Sequence, residues 1–76
     1  MKLKTCLKRI SSDPDVLHGK PRIKGTRIPV YLIVSLVAEG SNYKEILSDY
    51  PSLNEEDISA ALFYASQLAK QEAYAI

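Results

Sequence analysis

The sequence predicts a mainly α fold: three helices in a helix-turn-helix arrangement, preceded by short N-terminal β-strands. Three observations lead there. Apolar residues recur at helical spacing from Val30 onward, and Gly40, Pro51 and Asn54 punctuate that stretch where helices end or begin. Before Val30 the chain holds short β-like pieces set among turn residues. At 76 residues it makes one domain, with a basic extended arm over 1–28 and a three-helix body over 29–76.

In the arm, "LKRI" and "TRIPV" read as strands and "SSDPD" between them as a turn. Strands this short need support from the helices or from a second subunit. The first helix begins at Pro29 or Val30, since proline suits the first helical turn, and ends at Glu39 with Gly40 as its C-terminal cap. Val30, Ile33, Val34 and Val37 share one face, while Leu32 and Leu36 lie off it. A helix apolar nearly all round is buried on most sides, which makes Leu32 and Leu36 candidates for a dimer interface. Ser41 is the expected cap of the second helix, with Glu45 behind it, and Tyr50-Pro51 stops that helix. Asn54 caps the third, whose first turn carries Glu55, Glu56 and Asp57. Ile58, Ala61, Leu62, Ala65, Leu68 and Ala69 form its expected buried stripe, leaving Phe63 and Tyr74 outward as a candidate partner surface.

Composition narrows the function. The longest apolar run, Ile28 to Ala38, is far shorter than the ~20 residues that span a bilayer. The opening "MKLKTCLKR" lacks the apolar core of a signal peptide, so the expected location is cytoplasmic, without membrane contact. One cysteine, Cys6, excludes an internal disulfide. A core this small is marginal alone, and a homodimer or a partner complex is expected.

Chemistry has little to stand on. Asp13, Asp15 and His18 lie close in sequence, but no second cluster completes a coordination sphere, and turn caps with a hydrogen-bonded imidazole account for them. Cys6 has basic neighbours and no base near it in sequence. No P-loop, dinucleotide fingerprint or nucleophile elbow is present. The reading is a non-enzyme with no cofactor and no metal.

The net charge of +1 conceals an asymmetry. Residues 1–30 hold eight Lys and Arg against two Asp, a balance of +6, and residues 31–76 hold two Lys against seven acids, a balance of −5. A basic arm on an acidic body points to a polyanionic or acidic partner, or to an arm that folds back on its own body. Lys20, Arg22, Lys24 and Arg27 alternate along the arm, as a ribbon reading DNA would present them. The same residues suit an acidic nuclease site, arginine pairing with carboxylates. The acidic start of the third helix makes it a poor recognition helix, because phosphates repel it.

The string "GKPRIKGTRIPV" from Gly19 to Val30, with "YPSL" at Tyr50 to Leu53 and "EDI" at Glu56 to Ile58, resembles the small prokaryotic family called domain of unknown function 433, from about Arg9 to Ala65. That resemblance implies a homeodomain-like or winged-helix-like fold behind short strands. It also implies an antitoxin of a type II toxin–antitoxin pair, a partner of a PIN-like ribonuclease toxin that binds operator DNA as a dimer. The resemblance implies glycine in many relatives at the position where this chain has His18. The chain ends "QEAYAI" directly after the third helix, without the long tail of many antitoxins, so the inhibitory segment is expected in the arm or on the face with Phe63 and Tyr74. A rival expectation is a protein-interaction module that inhibits a nuclease without touching DNA.

Overall fold

The structure is a computed structural model that describes residues 1–72. The described residues form four α-helices and one two-stranded antiparallel sheet: α1 (Leu3–Leu7), β1 (Ile10–Ser11), β2 (Arg22–Ile23), α2 (Val30–Ala38), α3 (Tyr43–Asp49) and α4 (Glu55–Glu72). A short turn of left-handed backbone covers Leu17–Gly19.

The N-terminal segment departs from the extended arm expected of residues 1–28. Residues 3–7 are helical, although so short a helix is marginal in water. What holds α1 is burial at one point. Cys6 is fully buried against α4, and its Sγ donates to the Ala60 carbonyl at 3.2 Å. Because Leu7 belongs to α1, only Ile10 of the expected "LKRI" strand is extended. β1 pairs with β2 through Ile10 with Ile23 and Ser11 with Arg22. "TRIPV" supplies no strand of its own. It runs back beside β2, with Ile23 N donating to Ile28 O at 3.0 Å and Arg22 bridged to Pro29. Pro21 and Pro29 lack the N–H groups a longer ladder would need.

The helix punctuation follows the sequence, with one shift. Gly40 at φ +100° closes α2 in a Schellman motif: Ser41 N donates to Leu36 O and Gly40 N to Val37 O, both at 3.0 Å. Ser41 is thus occupied with ending α2, and the cap of α3 falls one residue later than expected, on Asn42. Its Oδ1 accepts from Glu45 N at 2.9 Å while Asn42 N donates to Glu45 Oε1 at 3.2 Å, a capping box. Asn54 and Asp57 form the same reciprocal pair at the start of α4, at 2.9 and 3.0 Å. Asn54→Ala should cost about 1 kcal/mol, checked by urea unfolding.

The core gathers Ile23, Val30, Ile33, Ile46, Leu53, Ile58 and Ala61, so β2 and the three longer helices share it. The expected stripe of α4 is only half covered. Ile58 and Ala61 are buried and Leu62 packs on the core, but Leu68 is 44% exposed and Ala69 is exposed. The helix simply outruns the elements packed against it.

One segment is strained. Leu17 and His18 are left-handed at φ +53° and +55°, followed by Gly19 at +80°. Glycine takes such angles freely, whereas an L side chain pays a steric cost of roughly 1–2 kcal/mol. His18 is exposed and its side chain has no hydrogen bond among the described residues. His18→Gly should therefore stabilise the domain by up to about 1 kcal/mol, read as a higher urea midpoint; a loss would mean the imidazole has a structural role.

Candidate functional site

The four expected arm cations do not form one row. Ile23–Thr26 make a tight turn: Thr26 N donates to Ile23 O at 3.0 Å, and Gly25 supplies the positive φ (+81°) that the third position of a type II turn requires. The Thr26 hydroxyl locks it twice, donating to Ile23 O at 2.7 Å and accepting from Ile28 N at 3.0 Å. Arg22 turns inward, its Nη1 donating to Thr26 O at 2.9 Å and its Nε buried without a hydrogen-bond partner among the described residues. Arg22 is half-buried and braces the loop. Lys24 and Arg27 are exposed on it. Lys20 leans away toward α2, its Nζ 5.0 Å from the centre of the Tyr31 ring, a cation–π contact.

The loop is also tied to the body, since Lys24 N donates to Arg9 O at 2.8 Å. Arg9 in turn reaches α4, pairing with Asp57 at 3.0 Å and with Glu56. Its pKa is raised, first by the hydrogen bond to Asp57, so it is cationic at every working pH. The acidic first turn of α4 is therefore engaged, with buried Asp57 serving both the cap and Arg9. In part the arm does fold back on the acidic body. Among the described residues these are the ion pairs, and Lys20, Lys24 and Arg27 enter none.

A second feature was not expected from the sequence. An open groove of about 500 Å³ lies between α2 and α4, walled by Val30, Tyr31, Val34, Ser35, Tyr64, Ala65 and Leu68, with Lys20 and Pro21 at one end. Tyr31 is 58% exposed. Two signals for this groove were present in the chain: an apolar stripe on α4 longer than α2 can cover, and an α2 that is apolar nearly all round.

The remaining candidates are dispersed. Leu36 packs against the core of its own chain and Leu32 is half-buried. Phe63 is half-buried outside the core cluster, and Tyr74 lies outside the described residues. Asp13 Oδ1 accepts from Asp15 N at 2.9 Å, the hydrogen bond of an Asx turn, and no three His, Cys, Asp or Glu side chains among the described residues converge to hold a metal. Burial pushes the Cys6 thiol above its ordinary value, opposed by a backbone hydrogen bond with Tyr64, so the group is a protonated core side chain. Among the described residues, no helix is long and apolar enough to cross a membrane.

Comparison with known proteins places the fold. Over 56 residues the chain is 43% identical to the uncharacterized protein y4eO of Sinorhizobium fredii (strain NBRC 101917 / NGR234), a match covering 74% of this chain and 25% of that protein. The chain thus spans about a quarter of that curated relative's length. The fold matches the crystal structure of a DUF433 member protein from Anabaena variabilis ATCC 29413 with a TM-score of 0.78 and 39% identity, over 91% of this chain and 68% of that one. Residues 10–65, which run from β1 into α4 and include the basic loop, match the family described as Protein of unknown function (DUF433), and the chain belongs to that family.

Proposed function

We propose that this chain is an antitoxin-like regulator that binds operator DNA through its basic loop and neutralises a PIN-like ribonuclease toxin, acting in the cytoplasm as a homodimer. The observation that carries the reading is the loop itself. Lys24 and Arg27 stand exposed on a turn whose backbone is locked by Thr26 and Arg22, with no acidic partner among the described residues. A rigid, unpaired pair of cations suits phosphate and guanine edges, because little side-chain and loop order is lost on binding.

In this reading α3 and α4 have the order of a helix-turn-helix, in the homeodomain-like or winged-helix-like manner, but α4 is not the element that enters a groove. Its first turn is occupied with Arg9 and its own cap, and Glu55 is exposed there. The loop holds the duplex and the helices hold the loop. Dimerisation would double the charge and set the spacing of two half-sites.

A second reading has its own support: a nuclease inhibitor that ignores DNA. The apolar groove favours it, since DNA has no use for such a surface. A promoter fusion separates the two. If the chain represses a reporter driven by its own upstream region, and Lys24→Ala with Arg27→Ala abolishes repression, the regulator reading stands. Full repression by the double variant, or none by the wild type, contradicts it.

Within this account Gly25 matters for geometry alone. A Cβ there would meet nothing within 4 Å among the described residues, but φ is +81°. Gly25→Ala should cost about 1–2 kcal/mol of stability through backbone strain, measured by urea unfolding, and should loosen the loop.

A further inference from the structure

We infer that the groove between α2 and α4 docks an acidic, apolar peptide segment of a protein partner. The inference deepens the partner-binding half of the proposed function and does not depend on the DNA-binding half.

Burial along this face of the two helices is incomplete. The stripe on α4 continues past the core through Ala65 to Leu68, and α2 offers Tyr31 and Val34 opposite it. Leu68 and Tyr31 are large side chains left substantially in water, on facing walls of one depression. Two helices that leave an apolar trough between them fit a third segment laid along it, with side chains at helical spacing as anchors.

Charge selects the occupant. Among the described residues the lining holds no carboxylate, and its one charged group is Lys20. Its ammonium is placed over the Tyr31 ring and makes no ion pair among the described residues. A segment with two large apolar residues and a neighbouring Asp or Glu would fill the trough and meet Lys20 at its end. A second copy of the chain fits less well. A twofold placed over the groove would bring two Lys20 ammoniums toward one interface whose lining, among the described residues, supplies no acid.

The test is selection of a phage-displayed random dodecapeptide library on the immobilised full chain, followed by anisotropy titration of the synthesised consensus peptide. The expected consensus carries Asp or Glu beside a pair of large apolar residues three or four positions apart. Ser35→Trp, which places an indole in the groove, should weaken that peptide at least roughly tenfold, and Lys20→Glu should do the same, while Lys24→Ala with Arg27→Ala leaves it unchanged. Circular dichroism checks that Ser35→Trp folds; if it does not, Tyr31→Ala at an exposed position carries the same test. No enrichment, a consensus without acid, or equal binding to the filled groove overturns the inference. So does a dimer by light scattering that Ser35→Trp converts to monomer, which would make a second copy the occupant. DNA binding is titrated on the same variants, so loss of the regulator reading and loss of the groove reading are told apart.

Discussion

Ile33→Ala will remove about 2–5 kcal/mol of stability, seen as a lower urea midpoint with an unchanged slope. Ile33 is fully buried at the centre of α2, in a cluster that includes Ile23 of β2, Ile46 of α3 and Ile58 of α4. A domain of 76 residues has roughly 4–11 kcal/mol to lose, at about 0.05–0.15 kcal/mol per residue. One truncated side chain therefore threatens the whole fold, because few other residues are fully buried. The basic loop would lose its support in the same step, since Ile23 begins the turn that carries Lys24. A loss below about 1 kcal/mol would show that α2 does not organise the core.

Lys24→Ala combined with Arg27→Ala will flatten the salt dependence of DNA binding by about two units of log K per log salt, about 0.9 for each phosphate contact removed. Both side chains are exposed and free of ion pairs among the described residues, so stability should hardly change. Arg22→Ala will behave differently. That guanidinium is bonded to Thr26 O inside the loop, so its removal should lower stability and affinity together while leaving the salt slope closer to wild type. An unchanged slope in the double variant would take the loop out of the account.

These contrasts show where the sequence was informative. Helix ends written in local chemistry were legible: Gly40 closes α2, Pro51 follows α3, and Asn54 caps α4. The cap at Asn42 rather than Ser41 was not, because Ser41 is claimed by the end of the preceding helix. α1 was invisible for a different reason. Its anchor, Cys6 on Ala60, joins residues 54 positions apart, and no local pattern in a five-residue helix announces a partner that distant. The site was half legible. The residue types of the loop marked it, yet their alternation suggested four cations on one side. Tertiary bonds instead turn Arg22 inward and lay Lys20 on Tyr31. The groove follows from a mismatch of lengths, an eighteen-residue α4 against a nine-residue α2, which emerges only once both helices are packed.

In the proposed function a locked basic loop grips DNA. Its most direct test is a fluorescence anisotropy titration of the purified chain with duplex from its own upstream region and with scrambled duplex, each at two salt concentrations. Tighter binding to the upstream duplex, weakening steeply as salt rises, is the expected result. Absence of binding to either duplex, or binding indifferent to salt, would contradict it.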